Sequence, residues 1–231
     1  NMMFSQRGVM NLAHNEHDIK EMKRRISANR LNGLDTQWID TKEIKELVPI
    51  MNTENLRYPV LGAAFQPRGG VARHDAVAWG YALRSNEMGV DIIQNCEVKD
   101  IKTDNHKVEG VNTSKGFIKA NKVAVVASGH TSVLAQTAGV RLPLQSRPLQ
   151  ALVSEPIKPV INTVVMSNAV HAYVSQSDKG ELVIGAGTDG YNSFTQRGGY
   201  DVIEETVRAI VELYPIFGKM KMLRQWGGIV D

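Results

Sequence analysis

Three groups of residues in this chain have the types and spacing for chemistry. The first lies in residues 69–89, GGVARHDAVAWGYALRSNEMG, where Gly69 and Gly70 precede Arg73, His74 and Asp75. Paired glycines let backbone approach something closely or adopt positive φ without a Cβ clash. Asp75 is placed as an N-cap, with Ala76, Val77, Trp79 and Tyr81 behind it and Gly89 where a helix C′ glycine belongs. A helix start presents free N–H groups and suits an anion. The same residues also make an ordinary loop and helix start with a surface histidine, and this stretch alone does not choose. The second group is His171 and Tyr173, two apart on an expected strand and so on one face. They line either a polar pocket or the solvent face of a half-exposed sheet. The third is KVAVVAS, residues 122–128, a continuously apolar strand expected to be buried on both faces and to run into Gly129 and a helix start, an α/β ligand-binding geometry.

Other motifs fail on their context. Residues 185–190 spell G-x-G-x-x-G after a strand, but a dinucleotide fingerprint must open a helix, and loop sequence follows here until about Asp201. The chain has no G-x-x-x-x-G-K-[ST], G-x-S-x-G or H-E-x-x-H. Its six histidines lack the company of a zinc site, and His14 and His17 are read as surface residues.

The elements expected to position these groups alternate in type. Strands at 2–6 and 9–14 lead to a helix capped by Asn15, carrying Ile19, Met22 and Ile26 and stopped by Gly33. Its basic residues, Lys20, Lys23, Arg24 and Arg25, are read as a solvated face. Asp40 and Glu43 form a capping box before Ile44, Leu47 and Val48, and a strand at 60–65 delivers the chain to Gly69. Strands at 90–94, 97–103, 108–113 and 117–120 follow, the last three as a meander. Ser132 is expected to cap a short helix ending at Gly139. Strands at 149–153, 164–167, 170–175 and 181–185 come next, the last two joined by a hairpin through residues 177–180. Asp201 and Glu204 are expected to cap an amphipathic helix that stops at Pro215, and a strand spans 220–226.

Composition bounds the class. With 231 residues, 42% of them hydrophobic, the chain can bury a sizeable core. A net charge of +3 without a dense basic block excludes the footprint of a nucleic-acid binder. The single cysteine, Cys96, excludes an internal disulfide and fits a reducing compartment. No apolar run approaches the ~18 residues of a membrane span, and no basic-then-apolar leader opens the chain. The opening Asn1-Met2-Met3-Phe4 enters strand-like sequence at once, so a fragment or processed piece is expected.

The segment GVDIIQNCEVKDI, with VEGVNTSKGFIKANKVAVVASGHTSVLAQTAGVRLPL after it, resembles the middle of flavoproteins of the D-amino-acid-oxidase-like group. PRGGVARHDAVAWGYA, with RGVMNLAHNEHD upstream and RQWGGIVD at the end, resembles the beta subunits of heterotetrameric sarcosine oxidases. The likeness runs along essentially all 231 residues. It implies oxidation of sarcosine, through an imine, by noncovalent FAD, and electron transfer to an FMN held covalently by a histidine. The products are glycine, hydrogen peroxide and formaldehyde, or methylenetetrahydrofolate when tetrahydrofolate is present. Alpha, gamma and delta subunits are the implied partners, with neither nucleic acid nor membrane, in the cytoplasm. By resemblance, His74 is the flavin-bearing residue and Arg73 its neighbour at the FMN phosphate. Val98, Ala127, Ser128 and Gly129 meet FAD, while His171 and Tyr173, with Arg224, face the substrate. The implied fold is mixed α/β, an FAD-dependent amine-oxidase-like arrangement with a substrate domain in two parts (1–68 and 146–231) around a partial cofactor domain (69–145). The family's N-terminal βαβ fingerprint is absent and the chain stops at Asp231, so the isolated chain is expected to be inactive. A related dehydrogenase of dimethylglycine or N-methylglutamate, and an inert interface module, are the alternatives.

Overall fold

A computed structural model describes residues 3–231, apart from the side chain of Ala186; Met2, at the start of the first expected strand, lies outside the described residues. The elements begin with β1 (Phe4–Gln6), β2 (Val9–Ala13), α1 (Glu16–Leu31), β3 (Gln37–Ile39), α2 (Thr41–Leu47), β4 (Gly62–Gln66), β5 (Gly70–Ala72) and α3 (His74–Glu87). They continue with β6 (Val98–Asp104), β7 (Lys107–Thr113), β8 (Gly116–Lys119), α4 (Thr131–Thr137), β9 (Arg147–Pro156), β10 (Val164–Ser167), β11 (Ala172–Gln176), β12 (Glu181–Thr188), α5 (Tyr200–Leu213) and β13 (Met222–Val230). The fold is mixed α/β, and the chain divides into two compact units.

The first unit comprises Asn1–Val77, Gln150–Thr188 and Arg197–Gly227. Its framework is a mixed sheet of eight strands in the order β13-β9-β12-β11-β10-β2-β4-β3. Side chains alternate across a strand, and here both faces of β2 are used. Met10 and Leu12 join Phe65, Val165, Val174 and Ile184 in a core closed by Ile210 and Leu213 of α5 and Ile44 of α2. On the opposite face Ala13 and Ala64 pack beneath Met22 and Ile26 of α1. Both helix starts are built as their sequences dictate: Asn15 accepts from the Asp18 N–H at 2.9 Å, and Asp40 and Glu43 form a reciprocal capping box. At α5 the cap is Gly199, and Asp201 lies inside the first turn. The hairpin between β11 and β12 is present, with Gly180 at φ 101°.

Gln176 ties this hairpin to the loop before β10. Its Nε2 donates to the carbonyls of Lys158 at 3.0 Å and Gly180 at 2.9 Å, and its Oε1 accepts from the Val160 N–H at 2.8 Å. It is buried, and its Oε1 also accepts from the Ile161 N–H at 3.2 Å, so its removal strands the Val160 and Ile161 N–H groups.

The second unit comprises Ala78–Leu149, Asp189–Gln196 and Gly228–Asp231. The expected meander is there as β6-β7-β8, an antiparallel sheet, and Thr137 of α4 accepts from the Ile101 N–H at 3.0 Å. Two expectations fail. Residues 90–94 and 122–127 form no strand, and Val126 is 93% exposed. A strand buried on both faces needs a neighbour to complete its ladder, and among the described residues these segments have none. Ser132 does not cap α4, which begins at Thr131 without a side-chain cap bond. The sequence reading also missed β3 and β5, each three residues long, too short to show alternation.

Gln176→Leu is expected to destabilise the first unit by upwards of about 3 kcal/mol, since each stranded buried group costs about 1–3 kcal/mol. Urea unfolding measures it.

Candidate functional site

One face of the large sheet is covered only in part. α1 covers its β2-β4-β3 end, and beyond that Met166, Tyr173, Ser175 and Val183 lie half-buried. Register puts Asn11 beside Met166, Met166 beside Tyr173, and Tyr173 beside Gly185. A Cβ at Gly185 would come within 2.1 Å of the Tyr173 ring, so this glycine lets the ring lie flat on the neighbouring strand. Burial pushes the Tyr173 hydroxyl's pKa up, which keeps it a neutral hydrogen-bond donor. At the edge strand, Gln225 bonds Gln150 at 2.8 Å and packs against Gly198 beside the α5 cap. By alternation Arg224 and Trp226 therefore point the other way, to the Tyr173 side. The Arg224 guanidinium sits 6.0 Å from the Trp226 ring centroid. Two strands, β9 and β12, separate β13 from Tyr173, so Arg224 and Tyr173 flank a gap of roughly 14 Å between backbones rather than meeting.

His171 needs a correction. It lies in the turn before β11 at φ 46° and is exposed, so the alternation that would pair it with Tyr173 does not apply. The two residues still share a hollow of about 130 Å³, with Met166, Ser167 and Asn168 as neighbours. The turn is held from below by His14, which is buried and not a surface residue. Its Nδ1 lies 3.1 Å from the Tyr58 carbonyl and its Nε2 2.7 Å from Ser167 Oγ. The carbonyl can only accept, so Nδ1 carries the proton and Nε2 accepts from the serine hydroxyl. The signal for burial was readable: His14 continues the inward alternation of Met10 and Leu12. Its partner Ser167 is 153 positions away and was not readable.

The glycines before His74 serve the chain's own packing. Neither has positive φ; a Cβ at Gly69 would meet Val9 at 2.8 Å, and one at Gly70 would meet the Ser5 carbonyl oxygen at 2.0 Å. β5 thus pairs closely with β1 and lies against Val9. Val9 and Asn11 share a face by alternation, so Gly69, just before β5, lies on the Tyr173 side of the sheet. His74 is the first residue of α3 and exposed. Asp75 is not the N-cap but stands in the first turn, where Oδ1 accepts from the Ala76 N–H at 2.8 Å. Arg73 grips the same carboxylate through Nε at 3.1 Å and Nη2 at 2.5 Å. That grip, then the Ala76 N–H, holds the Asp75 pKa down to about 2.

In the second unit, Val98 opens β6 opposite Thr113. Ala127 N–H donates to Thr131 Oγ1 at 3.3 Å, and Ser128 is exposed at φ 46°. Gly129 is buried, and Ile229 Cγ2 would lie 2.3 Å from a Cβ there. The G-x-G-x-x-G of residues 185–190 opens no helix, because Gly185 and Gly187 lie on β12 and the next helix is α5. No group of three or more potential metal ligands occurs among the described residues, and no helix there is long and apolar enough to cross a membrane.

The chain matches the FAD dependent oxidoreductase family over residues 1–231 and belongs to it. It is 57% identical over 231 residues to the sarcosine oxidase subunit beta of Rhodobacter capsulatus, covering 100% of this chain and 56% of that one. It is 48% identical to the subunit beta of Rhizobium meliloti, again with 100% and 56% covered. The chain therefore spans little more than half the length of these curated relatives. Among solved structures, L-proline dehydrogenase from P. horikoshii superposes with a TM-score of 0.89 at 27% identity, covering 99% of this chain and 61% of that one. Glycine oxidase from Geobacillus kaustophilus shares the fold, with a TM-score of 0.82 at 20% identity and coverage of 99% and 60%.

Gly185→Ala is expected to destabilise the first unit by about 1–3 kcal/mol through overpacking against Tyr173. Thermal unfolding of the double-mutant cycle should show most of that loss disappearing in a Tyr173→Ala background.

Proposed function

We propose that this chain is the substrate-side part, with the inner edge of the cofactor domain, of a sarcosine oxidase beta subunit. The single observation that carries the reading is 57% identity, without interruption of coverage, to a subunit of that name. In this reading residues 1–68 and 146–231 serve the substrate and 69–145 the cofactors. FAD is noncovalent, and an FMN is bound covalently to His74. Sarcosine, dioxygen and water become glycine, formaldehyde and hydrogen peroxide; tetrahydrofolate takes up the one-carbon unit where present. When bound, FAD supplies the acceptor for the hydride equivalent leaving the substrate's N-methyl group.

The chain's own residues suit the remaining tasks. Tyr173, neutral and half-buried, can donate to the substrate carboxylate, and Arg224, held over Trp226, supplies positive charge from the edge strand. His171 lines the same hollow as Tyr173. His74 is exposed at the start of α3, where an imidazole is free to meet a flavin ring. Val98 and Ala127 to Gly129 serve the FAD wall.

α3 supports a larger assembly. Its sequence is apolar on several sides, yet it buries no residue, and Trp79, Tyr81 and Leu83 are 67%, 72% and 63% exposed. A helix of that composition is normally covered on most sides. We read this face and the unpaired segments 90–94 and 122–127 as the seat of the rest of the cofactor domain. Alpha, gamma and delta subunits complete the complex, and the single Cys96 suits a reducing cytoplasm.

A second reading has its own support: the likeness to L-proline dehydrogenase, named for another secondary amino acid. Mixing the full-length protein anaerobically with sarcosine, L-proline, dimethylglycine or N-methylglutamate and following loss of flavin absorbance separates the readings. Sarcosine is expected to bleach the flavin about tenfold or more faster than the others, the discrimination a differently shaped pocket provides. Faster bleaching by another amine would overturn the choice of substrate, and no bleaching by any would leave the inert interface module.

A further inference from the structure

We infer that His14 is a positioning residue for the proposed substrate hollow: from beneath the sheet it holds the turn of residues 168–171 in place before a substrate arrives. This role rests on the reading of His171 and Tyr173 as substrate-facing residues.

His14 is itself fixed on its chain. Its N–H donates to Asp18 Oδ2 at 2.9 Å, and the same oxygen accepts from Asn15 Nδ2 at 3.0 Å at the start of α1. One residue earlier, the Ala13 carbonyl accepts from the Leu61 N–H at 2.8 Å. The imidazole therefore projects from a tied-down junction of β2 and α1. It is 5% exposed, and Ser167, the last residue of β10, is 3% exposed. Nδ1 donates to the Tyr58 carbonyl at 3.1 Å, and Nε2 accepts from Ser167 Oγ at 2.7 Å. Buried polar groups are costly without their partners, so ring, carbonyl and hydroxyl hold one another in register.

Ser167 passes this constraint to the turn. Its Oγ also accepts from the Val170 N–H at 3.4 Å, and the Asn168 carbonyl accepts from the His171 N–H at 3.4 Å. Both bonds are long, yet His171 sits at φ 46°, a conformation that a residue with a Cβ keeps only where its surroundings impose it. The shorter His14–Ser167 bond beneath them supplies the fixed post. The turn bears on two hollows. Met166, Asn168, His171 and Tyr173 line the one of about 130 Å³. Another, of about 300 Å³, is lined by Val170 and His171 of the turn and by Arg57 and Tyr58. Since His14 bonds both Tyr58 and Ser167, one buried ring ties these segments together. Without that post the turn samples other arrangements, and a substrate has to order it on binding. Apparent affinity then falls with the fraction of molecules in the competent arrangement, while the rate at saturation does not.

The test uses the full-length flavoprotein with its native subunits. It is mixed anaerobically with increasing sarcosine, or with whichever amine bleaches the native flavin fastest. Bleaching rate against concentration yields an apparent dissociation constant and a limiting rate. His14→Asn keeps a donor for the Tyr58 carbonyl but loses the acceptor for Ser167. Ser167→Ala removes the same bond from the other side and is the milder change to the fold. Each is expected to raise the dissociation constant about tenfold, as for a competent fraction of roughly one tenth, with the limiting rate within about twofold of native. The double variant is expected to bind no more weakly than the weaker single one. His14→Gln, whose longer carboxamide reaches the Nε2 position, is expected to recover most of the affinity. Hydrogen exchange read by mass spectrometry should quicken in the peptide covering residues 168–171 in both impaired variants.

An unchanged constant in His14→Asn or Ser167→Ala would overturn the role, as would equal impairment of His14→Gln and His14→Asn. So would a loss confined to the amplitude of bleaching, which is what a smaller folded fraction gives. Tyr173→Phe and His171→Ala check the underlying reading. If neither alters the constant, the hollow is not the substrate side and the role of His14 falls with it. If they alter it and the His14 and Ser167 variants do not, the role of His14 alone fails.

Discussion

Gly69 lying against Val9 is the contact on which the arrangement of the first unit depends. Val9 begins β2, the strand that pairs in parallel with β10 and antiparallel with β4. Alternation along β2 sends Met10 and Leu12 into one core and Ala13 into the other. It also leaves Val9 facing the side that carries Tyr173. A side chain on Gly69 would collide with Val9 and push the start of β5 off the sheet. One glycine thus sets where the chain that leads to His74 leaves the large sheet.

The open stretch of sheet follows from helix supply. α5 and α2 close one face, and α1 covers only one end of the other. What remains is a half-exposed floor of Met166, Tyr173, Ser175 and Val183, edged by Arg224 and Trp226. Such a floor, apolar with a few hydrogen-bonding groups, has the character of a small-molecule site. The chain belongs to a family of FAD dependent oxidoreductases, and in the proposed reading this floor faces the flavin.

Much of this was legible in the sequence where a local rule decides. Asn15 caps α1, Asp40 and Glu43 form their box, Gly180 turns the hairpin and the meander pairs as expected, because capping and turn chemistry act over a few residues. Residues 185–190 could be dismissed as a fingerprint from context alone, and the structure assigns Gly185 another task, room for the Tyr173 ring. What sequence could not supply was non-local. The strands expected at 90–94 and 122–128 were inferred from apolar runs, yet a strand exists only with a neighbour to bond. His14 looked like a surface residue until Ser167 met it from across the chain. His171 fell one residue outside its strand, and the partners that the paired glycines approach closely, Val9 and Ser5, lie about sixty residues back. Asp75 was assigned a cap's role when its stronger interaction is with Arg73, two positions back.

The claim on which the functional reading turns is that His74 carries a flavin. Proteolysis of the full-length protein, followed by mass spectrometry of the peptide spanning Arg73, His74 and Asp75, tests it most directly. A peptide heavier by one FMN less two hydrogens, with fragments placing the added mass on His74, is expected. An unmodified His74 peptide from protein that retains its yellow colour would contradict it.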